Sequence, residues 1–225
     1  MKRVIIRELL DTDSGTTSEV AASLDDLQWF NRWFGGTKTT ETLVTEIARQ
    51  AGARSLSLLE VAAGAGYVPE AVRRGMRKRG IEVEPVLLDR ALSHLRSGST
   101  NGTRAVVADA TALPFADGSF DVVSSCLFTH HLASEELVRF VDEGLRVCRK
   151  AVLINDLVRH PVHVGLVYAG TPLYRSRLTR HDAPASVRQA YTVAEMRETL
   201  ACTQAAAVEV RKHFLFRMGV VVWKK

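Results

Sequence analysis

The sequence predicts an α/β chain with a doubly wound, mostly parallel sheet, an antiparallel C-terminal hairpin and extra helices at the N-terminus. Three observations predict it. Between about residues 55 and 155, short β-rich runs alternate with amphipathic helical patterns. The first of these runs, Leu58-Leu59-Glu60-Val61, ends in the two-glycine turn Ala62-Ala63-Gly64-Ala65-Gly66 before a helical stretch. The last two β-rich runs, 206–212 and 214–223, are too close together for a crossover helix, so they pair antiparallel. With 225 residues, 46% of them hydrophobic, the chain can bury one substantial core, and a single domain over 1–225 is expected.

The elements follow in order. Residues 18–34 read as a helix with Val20, Leu24, Leu27, Phe30 and Phe34 on one face, ended by Gly35-Gly36, and a second helix fills 39–51. These form an N-terminal helical lid over 1–52. The core, 53–155, holds strands at 57–62, 83–88, 104–108, 119–126 and 150–154, with helices at 68–79, 90–96 and 134–147. Residues 156–192 have few sheet signals and many Arg, His, Tyr and Pro residues, as expected of an insertion that caps a substrate site. A helix at 193–201 and the hairpin complete 193–225.

Composition narrows the function classes. The net charge of +5 is modest and partly concentrated in Arg73-Arg74-Gly75-Met76-Arg77-Lys78-Arg79, which reads as a solvated helix face rather than a nucleic-acid patch. Cys126, Cys148 and Cys202 are widely spaced and odd in number, which suits a reduced, cytoplasmic protein and indicates no metal. No run reaches the roughly 18 apolar residues of a membrane span.

The glycine turn lets the backbone approach a ligand closely, and the helix behind it presents free N–H groups. Asp89 closes the second β run, where a carboxylate can accept ribose hydroxyl protons. Asp109 closes the third, where it can take an adenine amino group while Ala110 leaves room for the ring. Pro69 stands where a dinucleotide fingerprint wants a third small residue, which disfavours NAD or a nucleotide sugar.

With the run Leu113-Pro114-Phe115-Ala116-Asp117-Gly118-Ser119-Phe120-Asp121 that follows, the chain resembles the class I S-adenosylmethionine (SAM)-dependent methyltransferases over about residues 55–155. The branch it is similar to contains the ubiquinone/menaquinone-biosynthesis methyltransferases. The resemblance implies a Rossmann-like fold and SAM as cofactor. It assigns Gly64 and Gly66 to the methionine moiety, Asp89 to the ribose, Asp109 and Ala110 to the adenine, and Glu60 to the amino group. Arg90 and Cys126 complete the expected cofactor set.

Methyl transfer needs an aligned nucleophile and a base to take its proton. His130 and His131 lie in the loop after strand four that faces the methyl group in this fold, and an imidazole titrates near about 6.5. They are the expected catalytic residues, with a structural role at the following helix start as the alternative. Asp156, after strand five, and Tyr168, in the insertion, are expected at the substrate. Trp29–Thr37 is dense in aromatic residues and reads either as core or as a lid hinged on Gly35-Gly36, with Arg32 near the substrate site.

The expected reaction is O-methylation of a phenolic or polyketide-derived small molecule. C- or N-methylation of a quinol-like acceptor, nucleic-acid methylation and SAM binding without catalysis are the alternatives. Ser125-Cys126-Leu127 matches neither the Pro-Cys of cytosine-5 enzymes nor an Asn/Asp-Pro-Pro-Tyr/Phe run.

Overall fold

A computed structural model describes residues 1–12, 14–98 and 102–225. Its seven-stranded sheet has the order β3-β2-β1-β4-β5-β7-β6. The strands are β1 (Ser55–Val61), β2 (Glu82–Asp89), β3 (Ala105–Val107), β4 (Phe120–Cys126), β5 (Cys148–Leu157), β6 (Ala207–His213) and β7 (Arg217–Trp223). β1 pairs in parallel with β2 on one side and β4 on the other, so the strand order reverses at the β1/β4 boundary. There the connections leave in opposite directions and a crevice opens at the carboxyl ends of the strands. β7 inserts antiparallel between β5 and β6, as the close spacing of the last two β-rich runs requires.

Helices cover both faces. On one, Leu43 and Ile47 of α2 (Gly36–Gln50) and Val72 and Met76 of α3 (Tyr67–Arg77) pack on Leu58, Val122 and Leu153. On the other, Leu137, Phe140 and Val141 of α5 (Ser134–Val147) and Met196 and Leu200 of α8 (Val193–Leu200) pack on Val123, Val152 and Ile154. A smaller cluster joins Val20 and Leu24 of α1 (Thr17–Trp33) to Ala65 and to Leu178 of α7 (Arg177–Gln189), above the carboxyl ends of the strands. α4 (Leu92–Ser97) and α6 (Pro161–Ala169) complete the helices named here.

Local sequence explains the boundaries. Thr16 and Glu19 form a reciprocal cap at the start of α1. α2 starts at Gly36 rather than 39 because Gly35, at φ +79°, turns the chain directly into it. β5 runs on to Leu157, so Asn155 and Asp156 lie within the strand instead of after it; their pairing with Gly219 and Met218 of β7 extends it. The insertion folds mainly as α6 and α7. The arginines of the basic run face acidic neighbours: Arg73 and Arg74 pair with Glu70, Arg77 with Glu82 and Arg79 with Glu41.

Gly66 and Gly80 share a left-handed backbone, at φ +73° and +74°. A Cβ at Gly80 meets nothing within 4 Å, whereas one at Gly66 falls 2.7 Å from Leu87 Cδ1. Gly80→Ala is expected to cost about 1–2 kcal/mol from backbone strain alone. Gly66→Ala adds about 1–3 kcal/mol of overpacking, measurable by urea unfolding of both variants.

Candidate active site

The crevice opens into a cavity of about 800 Å³, within the usual range for a small-molecule site. Its floor is formed by the ends of β1, β2 and β4 and the chain following β3. Its roof comes from the N-terminal segment, α1, α6 and α7.

Glu60, Gly64, Asp89, Arg90, Asp109, Ala110 and Cys126 all line it. Glu60 is 1% exposed, and its Oε2 has no hydrogen-bond partner among the described residues. Burial pushes its carboxyl up to about 7. Asp89 accepts the Gly64 N–H at 2.8 Å on one oxygen and the Ala91 N–H at 2.9 Å on the other. Burial opposes its ionisation, but His94 and these two N–H groups outweigh it and hold the carboxyl below its ordinary value. Asp109 accepts the backbone N–H and the hydroxyl of Thr111 on Oδ1, and these bonds lower its pKa. Burial pushes the Cys126 thiol up to about 12, so it is an inert, protonated wall. Gly66 does not line the cavity; it turns the chain behind it, against Leu87.

The two histidines have different surroundings. His130 is 2% exposed; its Nδ1 lies 2.6 Å from Asp156 Oδ1 and its Nε2 3.5 Å from Glu8 Oε1. Burial disfavours the charged ring, but Asp156 and Glu8 overcome this and push it up to about 10. Both nitrogens therefore face carboxylates, and the expectation of His130 as a free general base is corrected. His131 is more open. Its Nδ1 lies 2.8 Å from Asp11 Oδ2, its Nε2 is 3.9 Å from Glu8 Oε1, and its ring stacks on Phe128.

Three other expectations are also corrected. Asp156 does not line the cavity; it is buried behind His130, where it also accepts the Thr129 hydroxyl and the backbone N–H groups of His130 and Leu157. Tyr168 is half exposed beneath the Arg188 guanidinium and outside the cavity, which α6 lines with Leu166 and Val167 instead. Arg32 is exposed beside Trp33. Its neighbour Asn31, about 100° around the helix, points inward to Arg217 and Cys126.

Sequence reasoning missed Glu8 and Asp11, which both line the cavity, and singled out Tyr168 where the insertion's Tyr174 is the tyrosine that lines it. The only signal for Glu8 was that it interrupts an apolar run. Trp29, Phe30 and Phe34 also line the cavity, and Phe30 packs edge-on against Tyr174 with ring centroids 5.4 Å apart.

Residues 59–154, from β1 through most of β5, match the methyltransferase domain family. That segment, less than half of the chain, is similar to methyltransferase domains. The chain is similar to an uncharacterised methyltransferase of Mycolicibacterium gilvum (strain PYR-GCK), 38% identical over 99 residues, 43% of this chain and 36% of that protein. Another, from Mycobacterium sp. (strain JLS), is 32% identical over 170 residues, 72% of this chain and 58% of the relative. The match thus spans less than two thirds of either relative's length. Human N-acetylserotonin methyltransferase, solved in complex with SAM, shares the fold with a TM-score of 0.66 over 93% of this chain and 56% of that one, at 12% identity.

The Asp156 carboxylate is held down to about 2: burial opposes ionisation, but the His130 charge and hydrogen bonds prevail. Asp156→Ala leaves the buried His130 ring without its closest partner. It is expected to lower unfolding free energy by about 3–5 kcal/mol at neutral pH in urea titrations. A loss below about 1 kcal/mol would show that the pair does not hold the loop.

Proposed function

We propose that this chain transfers a methyl group from SAM to a hydroxyl oxygen of a small aromatic acceptor. The observation that carries the reading is the buried Glu60 carboxyl at the cavity floor, whose Oε2 has no hydrogen-bond partner among the described residues. Such a group is costly unless a cation or donor arrives, and SAM brings both an ammonium and a sulfonium.

The surrounding residues fit the rest of the cofactor. Gly64, at φ +54°, sits beside Glu60 in the cavity wall and leaves space a side chain would take, for the methionine moiety. A carboxylate has about four acceptor positions, so Asp89 retains capacity for a ribose hydroxyl beyond the two N–H groups and the His94 ring beside it. Asp109 and Ala110 stand together at the cavity edge for the adenine. When bound, SAM supplies a methyl carbon on a cationic sulfur that departs as a neutral thioether.

The chain's own contribution is alignment, exclusion of water and management of the acceptor's proton. Trp29, Phe30, Phe34, Tyr174 and Phe216 give the opposite wall a flat apolar character that suits an aromatic acceptor. Glu8 and His131 form its polar corner, where a hydroxyl can dock. A phenol near pKa about 10 must lose its proton to become a good nucleophile. The human structural neighbour is named for N-acetylserotonin, a small molecule, which supports the acceptor class. The paired arginines of α3 disfavour a nucleic-acid acceptor.

Calorimetry with SAM tests the cofactor reading, and label transfer to a panel of phenols, quinols and amines tests the acceptor. Asp89→Ala is expected to weaken SAM binding at least about tenfold. Glu60 adds a pH dependence. A cationic ligand needs the carboxylate, and below about 7 the carboxyl is protonated in the free site, so binding must expel a proton. SAM affinity is therefore expected to fall about tenfold from about pH 8 to pH 6, and Glu60→Gln should remove that part of the dependence. Affinity indifferent to Asp89→Ala and to pH would overturn the cofactor reading. Label appearing only on amines would overturn the oxygen acceptor.

A further inference from the structure

We propose that Glu8, His130 and His131 form a binding site for a divalent transition-metal ion of the zinc class in the wall of the cavity. The three residues offer ligand atoms that lie within 4.8 Å of one another. Both imidazoles turn Nε2 toward the Glu8 carboxylate, at 3.5 Å for His130 and 3.9 Å for His131. Ligand atoms around a tetrahedral zinc stand roughly 3.4 Å apart, so small side-chain rotations would bring all three into range.

The outer partners are what separate this cluster from a chance meeting of charges. A metal-bound imidazole characteristically gives its other N–H to a carboxylate, which fixes ring orientation and tautomer. Here both rings do so: His130 Nδ1 is 2.6 Å from Asp156 and His131 Nδ1 is 2.8 Å from Asp11. Glu8 is held by the Ser186 hydroxyl at 2.7 Å and the Gln189 amide at 2.6 Å, both donating to Oε1, the oxygen nearest the two rings, which leaves Oε2 to reach an ion by rotation of the carboxylate. Each of the three ligands thus has its own support, drawn from β5, the N-terminal segment and α7.

Two nitrogens and one oxygen are a donor set suited to zinc, and such a three-ligand site keeps a position open for a substrate or water. All three ligands line the cavity, so the open position faces the acceptor corner. Metal binding itself does not depend on the proposed reaction, but the ion's use rests on that reading. An acceptor hydroxyl bound there would lose its proton to water more readily, as metal-bound water does. Its oxygen would then form the new bond to the methyl carbon while the sulfur keeps the electron pair of the old one.

The test uses chelator-treated protein without SAM or acceptor, titrated with Co²⁺ alone and then Zn²⁺ alone, followed by visible absorption and calorimetry. A stoichiometric site with ligand-field bands is expected. Glu8→Gln and His131→Ala should each weaken it at least about 100-fold, whereas Cys202→Ser, which removes an exposed thiol, should not. Circular dichroism and SAM binding check that the variants fold. If Glu8→Gln does not fold, Asp11→Asn, at a partly exposed supporting position, should still weaken the ion about tenfold or more. A wild-type protein without a stoichiometric site, or one whose affinity is unchanged by these substitutions, overturns the proposal. Failure of SAM binding with the metal site intact would overturn the proposed function instead.

Discussion

The hydrogen-bonded register between β1 and β4 is the constraint on which the rest of this structure depends. It sets Glu60 opposite Ser124 and Val61 opposite Ser125, at the boundary where the chain changes direction across the sheet. Because β2 and β3 extend one way and β4 and β5 the other, the loops leaving β1 and β4 cannot cover the gap between them. A carboxyl placed there is surrounded by sheet yet faces a cavity. That position explains both its raised pKa and why its Oε2 finds no partner among the described residues.

The roof is held by polar contacts between segments distant in sequence. The Asp182 carboxylate accepts the N–H groups of Leu9 and Leu10, and Asp26 accepts those of Arg175 and Ser176. Arg3 reaches the carbonyls of His130 and Leu132 and lies over the Tyr191 ring. Arg217 joins Phe34, Asn155 and Asn31, tying the α1–α2 junction to the hairpin. These bonds carry Glu8 and Asp11 into the cavity. The same network makes the histidine corner rigid: the ring orientations are set by carboxylates from two parts of the chain, the N-terminal segment and β5.

The sheet was legible in the sequence because each strand carries its own β-rich run and the glycine turn marks where the first one ends. The floor of the cavity was legible for the same local reason, since Glu60, Asp89 and Asp109 each sit at or beside a strand end. Side chains on the roof were not. Whether Asn31 or Arg32 faces inward is a matter of one step around α1, and that phase is set by packing against α7 and the hairpin. Tyr168 and Tyr174 could not be ranked because the insertion's fold depends on tertiary contacts rather than on periodicity. Glu8 was invisible as a functional residue, because its partners His130 and Gln189 are more than a hundred positions away. The same distance kept the clustering of Glu8 with the two histidines out of reach, so the sequence indicated no metal.

A crystal structure of the chain with S-adenosylhomocysteine most directly tests the central claim that this crevice is a nucleoside site with a buried acidic floor. The account predicts the amino group against Glu60, the ribose hydroxyls on Asp89 and the adenine between Asp109 and Ala110. The compound bound elsewhere, or a crevice that stays empty at saturating concentration, would contradict it.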